Sequence, residues 1–336
     1  MRAIVIYNLF GKYLLVWVLA LSGTMVAGQN RLMDVQRVSG LSKNFQFEGN
    51  YIGGLRSSKP VYTSKARAHD FVINNTTQFL KLLKRTDLTN RTIYFPEGVV
   101  IDLTNHKDIR LPDGVTLLGN RGENGSKGAR IFTNTAGTYP LFRIKNNVKI
   151  IGLVIEGSDK DKFHNGIEYK GKDKVKLNMY KNPVSTGVVL EGDGLYVENC
   201  EFFGWTHSAI ILRNGRNSVI RHSYFHHNRR YGLGYGINVD GGYAKIYANV
   251  FDYNRHDIAG SGKTGSGYEV FMNIFLEHTY LQSVDMHGGA DRGDGTDLAG
   301  GVMKVYNNYF EKGNEGRAVL IRGVPASSST FENNYV

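Results

Sequence analysis

The chain has 336 residues, a formal charge of +11 and a single cysteine, Cys200. One cysteine excludes disulfides, and the absence of zinc spacing, a P-loop or a dinucleotide fingerprint excludes those sites. The basic balance points to an acidic partner: nucleic acid, a membrane surface or an anionic polysaccharide.

Arg2 and Lys12 flank Ile4–Ile6, and a dense apolar run follows from Leu14 to Leu21. Ser22, Gly23, Ala27 and Gly28 then lead to polar sequence at Gln29. This is a charged, then apolar, then small-residue order, so residues 1–28 read as a signal peptide and the protein as secreted or periplasmic. The apolar core is about ten residues, short of the roughly 20 that a membrane span needs. No other stretch approaches that length, so no span is expected after signal removal.

Residues 29–90 read as an N-terminal extension, irregular to residue 70. Within it, Thr76–Leu88 carries Phe79, Leu80, Leu82 and Leu83 among polar residues, a pattern for a short amphipathic helix. An exposed solenoid end needs a cap, and this helix is placed to be one.

From Arg91 short Val/Ile/Leu segments alternate with Gly, Asn and Asp turns. The 41 glycines and 6 prolines fit many tight corners between strands that keep their N–H donors. Lys160, Lys162, Lys170, Lys172, Lys174, Lys176 and Lys181 crowd one stretch, which reads as a protruding solvated loop able to attract polyanions. One phrase then returns six times: VENCEF, IRHSYF, IYANVF, VFMNIF, VYNNYF and FENNYV. It closes at Phe202, Phe225, Phe251, Phe275, Phe310 and Val336, at intervals of 23, 26, 24, 35 and 26 residues. A strand-rich period in the twenties means a solenoid whose turns bury their apolar faces by stacking. Two residues before each closing position stand Cys200, Ser223, Asn249, Asn273, Asn308 and Asn334. Stacking aligns them into a hydrogen-bonded column and the Phe rings into another. Cys200 therefore reads as buried and structural. The aromatics read as core, with no stacking platform for nucleic acid.

The coil length, the polar ladder and the N-x-F phrase resemble the pectate-lyase-like superfamily of right-handed parallel β-helices. FPEGVVIDL and GVTLLGNRG resemble the opening coils of its secreted members. The resemblance spans roughly residues 91–336. It implies an all-β, right-handed parallel β-helix and a groove on the face formed by a turn and the strand that follows.

Five residues after each Phe come His207, Arg230, His256, Tyr280 and Glu315, with Arg229 and Arg255 one earlier in two coils. Coils stack at roughly 4.8 Å, so these positions predict a polar ridge. On the next strand, alternation in SVDMHGG turns Val284 and Met286 inward and Ser283, Asp285 and His287 outward. Arg213, Asp240 and Arg322 close their strands at about the same level. One face is thus expected to gather His256, His287, Tyr280 and Arg230 as the chemical groups. Around them stand His207, Arg213, Arg229, Asp240, Arg255, Asp285 and Arg322 as substrate contacts.

This set suits β-elimination from a uronate-containing glycan. A neutral His is the base, an Arg pairs the carboxylate, and Tyr280 or the second His is the acid. A C5-epimerase starts with the same proton abstraction. A glycoside hydrolase would instead need two facing carboxylates, for which Asp240, Asp257 and Asp285 are eligible. A non-catalytic glycan-binding or adhesion solenoid is the remaining reading. Asp291, Asp294 and Asp297, with Gly293 and Gly295 between them, form a candidate Ca²⁺ loop, the alternative being an ordinary solvated Gly/Asp turn. FENNYV restarts the coil phrase at the end of the sequence, which predicts a longer chain or a covering partner.

Overall fold

The computed structural model describes residues 45–54, 69–123, 125–159, 162, 182–311 and 318–336. The signal peptide, Glu315 and every lysine of the lysine-rich stretch except Lys162 fall outside the described residues.

Among the described residues three parallel sheets form the solenoid, with ten, eight and eight strands. The first extends from Phe71–Val72 to Ser328–Glu332, the second from Val100–Asp102 to Tyr309–Phe310, and the third from Ile109–Arg110 to Val319–Ile321. Each coil contributes one strand to each sheet in turn. Tyr196–Glu198, Glu201–Phe203 and Ser208–Arg213 make one coil, and Ser218–Arg221 lies in register on the first of them. The architecture is the right-handed parallel β-helix expected from the repeat.

The repeated phrase is the corner between the first and second sheets. Its first-sheet strand sends Val197, Ile220, Ile246, Val270 and Val305 into the core. One left-handed residue then turns the chain: Asn199, His222, Ala248, Met272, Asn307 and Asn333 have φ between 46° and 57°. The polar column follows. Asn249 N–H and Nδ2 donate to Asn273 Oδ1 at 3.0 and 3.1 Å, and Asn273 repeats this onto Asn308. Ser223 Oγ and Asn249 Oδ1 accept the N–H groups of the coils before them. The column thereby satisfies buried corner amides that no strand pairing can reach. Phe202, Phe225, Phe251, Phe275 and Phe310 stack beside it with centroids 4.5 to 5.3 Å apart. Cys200 is buried with them, and burial pushes its thiol up to about 12.

The helix, α1, is shorter than expected, Thr76–Leu82, and Asn75 caps it by accepting Gln78 N–H. Phe79 and Leu82 pack onto the first coils, so α1 covers that end of the core. Just before it, Phe71–Val72 already pairs in parallel with Thr92–Tyr94.

The extension is not irregular throughout. Gln46–Phe47 and Asn50–Tyr51 form an antiparallel hairpin around Glu48 and Gly49, both at positive φ. This arm lies outside the solenoid, with Ile52 packed among Tyr224, Ala248, Val250, Ile274 and Leu276. Phe47 meets the rings of Tyr247 and Phe271 edge-on. Gly54 closes the arm at φ 70°, where a Cβ would come within 2.0 Å of Asn199 Oδ1 and 2.1 Å of the His222 carbonyl. Gly54→Ala is expected to cost about 1–3 kcal/mol by straining this contact. Urea unfolding of the variant checks this; an unchanged midpoint would mean that the arm does not stabilise the coils.

Candidate functional site

The third sheet alternates strictly. Val188, Ile210, Ile237, Ile258 and Val284 fill the core in register, as do Leu190, Leu212, Val239 and Met286 two residues on. Between these columns lie Val189, Ile211, Asn238, Ala259, Asp285 and Leu320, and just beyond the second column lie Glu191, Arg213, Asp240, His287 and Arg322. Arg213 and Asp240 are backbone register partners on adjacent strands, as their common level predicts.

Asp285 is the centre of the site. Its side chain is fully buried, and Arg322 grips it with Nε 3.1 Å from Oδ1 and Nη2 2.8 Å from Oδ2. Gln282 Nε2 donates to Oδ1 at 3.0 Å, and His287 Nε2 lies 3.1 Å from Oδ2. Burial alone would raise this carboxyl, but the hydrogen bonds from His287 and Gln282 and the Arg322 charge outweigh it and hold it at about 2. The expected outward turn of Asp285 and His287 is therefore present, and the two form a dyad. With Nε2 donating to Asp285, His287 keeps its lone pair on Nδ1, and its side chain is 28% exposed.

His256 lies near the same carboxylate without bonding to it. Its Nε2 is 3.9 Å from Asp285 Oδ2, while Nδ1 is 2.8 Å from the Gln282 carbonyl and donates to it. The ring is wholly buried, and burial, helped by Arg255, lowers its pKa to about 3. It is therefore neutral and enclosed. Tyr235 stacks on it at 5.7 Å and is hydrogen-bonded to Arg255.

The ridge counted from the Phe residues is not one column. Residues 229–234 form an inserted turn closed by the bridge between Arg230 and Leu233, so Tyr235 takes the level expected of Arg230. Arg230 Nε instead donates to the Asn182 carbonyl, and buried Arg229 donates to that of Lys162. Tyr280 lies on the turn before Gln282, with its N–H on the Asn254 carbonyl. Gln282 occupies the level assigned to Tyr280. His207 precedes the sheet, between the rings of Tyr139 and Tyr235, with Nδ1 2.8 Å from Ser208 Oγ. Arg213 Nη2 donates to Tyr139 Oη at 3.0 Å.

Asp240 pairs with Lys263 at 2.7 Å. Asp257 is buried inside the corner, accepting from Asn254 Nδ2 and Thr279 Oγ1. The three aspartates considered for Ca²⁺ turn to separate partners. Asp291 holds Arg322 Nη1 at 3.2 Å and the Gly288 N–H at 3.1 Å, and Asp294 holds Arg292 and Thr296. Asp297 offers its backbone carbonyl to Val324 N–H. Among the described residues no group of three or more His, Cys, Asp or Glu side chains is arranged to hold a metal ion. Tyr235 and Gln282 are the site residues that repeat counting misses. The Tyr235 signal was displaced by the 229–234 insertion, and Gln282, three before Asp285, lacked any motif.

No family model matches the chain, and no curated protein matches it. Among solved structures it is similar to the family 28 exopolygalacturonase of Yersinia enterocolitica, with a TM-score of 0.50 and 14% identity over 80% of this chain and 62% of that one. The alginate lyase of Paenibacillus sp. str. FPU-7 gives 0.37 and 12% over 79% and 98%. The A-module of the Azotobacter vinelandii mannuronan C-5 epimerase AlgE4 gives 0.34 and 12% over 73% and 86%. At such identity the likeness to the exopolygalacturonase establishes the fold alone, a parallel β-helix. The chain spans 62% of the length of the exopolygalacturonase. No helix among the described residues is long and apolar enough to cross a membrane.

Proposed function

We propose that this chain is an exported, carbohydrate-active β-helix enzyme that cleaves an acidic, uronate-containing glycan by β-elimination on the third sheet. The observation that carries this reading is a partly exposed His287 and a partly exposed Arg322 held on one buried carboxylate, Asp285. Elimination requires a base at the carbon beside the carboxylate and a cation to take up the charge that develops on that carboxylate. Nδ1 of His287 is the base, and the outer edge of Arg322 is the cation. Once protonated, His287 is also the nearest acid for the leaving glycosidic oxygen. His256 is too enclosed to touch a glycan and acts by positioning Gln282, whose side-chain amide in turn holds Asp285. Tyr280 and Arg230 stand on the turns beside the sheet, and Arg213 and Asp240 extend the row along the glycan path.

Hydrolysis fits the carboxylates poorly. It needs a protonated carboxyl facing a second one, whereas Asp285 is held at about 2, Asp240 is paired with Lys263 and Asp257 is buried. Incubation with polygalacturonate, alginate and glucuronate-containing glycans tests the reading. Unsaturated ends that absorb in the ultraviolet are expected. New reducing ends without absorbance would mean hydrolysis, inversion at C5 without cleavage an epimerase, and binding alone an adhesion protein.

A further inference from the structure

Arg322 presents two edges, each able to hold a carboxylate through two parallel hydrogen bonds. The inner edge, Nε and Nη2, is committed to fully buried Asp285. On the outer edge Nη1 makes one 3.2 Å contact to Asp291, and the two side chains are 26% and 31% exposed. Asp291 belongs to the segment that lengthens the 35-residue coil, and its other oxygen is bonded to Gly288 N–H just after His287. A carboxylate thus already sits on the outer edge of the cation beside the base.

The structure assigns Asp291 the role of a built-in carboxylate competitor, which occupies the outer edge of Arg322 until the carboxylate of a uronate displaces it. This rests on the proposed uronate substrate and deepens it. A uronate carboxylate can engage Nη1 and Nη2 together, which Asp291 does not do, because its second oxygen is held by the Gly288 amide. A carboxylate bound there brings its neighbouring carbon toward His287, since His287 and Arg322 share Asp285 Oδ2. A neutral sugar has nothing with which to displace Asp291, so the exchange selects acidic residues over neutral ones. Asp291 lies outside the chemistry and acts on affinity.

The experiment is a titration of the full-length protein with sodium galacturonate and with galactose, followed by NMR. Asp291→Asn removes the competing charge while keeping an oxygen for Gly288 N–H. It should bind galacturonate about 2- to 5-fold more tightly than the parent, the scale of losing one exposed ion pair. Asp291→Ala should show the same gain. Asp294→Asn makes the same change in net charge on the same segment, away from Arg322, and should leave affinity unchanged. Equal or weaker galacturonate binding by both Asp291 variants would overturn the assignment. So would an equal gain for galactose or for Asp294→Asn. A gain specific to Asp291 and galacturonate in a protein that releases no unsaturated ends would uphold the carboxylate exchange and refute elimination.

Discussion

His287→Ala is expected to lower turnover on a uronate glycan by about 10²–10⁴-fold, the usual contribution of a positioned general base. Its melting temperature should barely move. His287 is partly exposed, and without it Asp285 keeps both Arg322 contacts and the Gln282 amide. His256→Ala should behave differently, because the ring is wholly buried and its Nδ1–H satisfies the Gln282 carbonyl. Its removal leaves a cavity and an unpaired acceptor, so activity and stability should fall together. Initial rates and thermal unfolding of the two variants separate the cases. Full activity in His287→Ala would remove it from the chemistry, and a large loss of melting temperature there would mark it as structural.

Acidification should destabilise the protein by several kcal/mol between pH 6.5 and 4.5, before most carboxylates titrate. Among the described residues, four histidines are held below their ordinary value in the folded state. Burial, first of all, lowers His256 to about 3 and His207 and His222 to about 4, and it holds His227 well below its ordinary value. In the unfolded chain each titrates near 6.5. Below that value the unfolded state takes up protons that the folded state refuses, so stability falls as pH falls. Each group adds up to about 1.4 kcal/mol per pH unit until its folded pKa is reached. Glu201 and Asp285, both held at about 2, extend the loss from about pH 4 down toward 2, because protonation breaks their pairing. Urea midpoints measured from pH 7.5 to 4.5 test this. A flat profile, or a maximum below pH 5, would show that the imidazoles are solvated.

Some of this was legible because coil stacking imposes one residue type per position. Phe225, Phe251 and Phe275 stand in one column, as do Asn249, Asn273 and Asn308, and both columns appear in the sequence as a recurring phrase. The corner that makes the phrase turn was not legible. Asn199, His222, Ala248 and Met272 share one left-handed conformation, so the neighbouring sheets force that geometry and no residue type encodes it. Strand alternation located Asp285 and His287 correctly, since it needs no knowledge of loops. Counting across turns failed at Arg230 and Tyr280, where the 229–234 insertion and the approach to Gln282 change the path length. The grip of Arg322 on Asp285 joins residues 37 apart through stacking alone. The arm around Glu48–Gly49 was hidden for another reason: strands of two residues are too short to show a period.

Elimination by His287 and Arg322 is tested most directly by a crystal structure of His287→Ala soaked with a uronate oligosaccharide that the parent cleaves. The oligosaccharide is expected along the third sheet, with one carboxylate on the outer edge of Arg322 and the carbon beside it over the vacated imidazole position. An oligosaccharide bound on the first or second sheet, or one on the third sheet with its carboxylates turned away from Arg322, would contradict it.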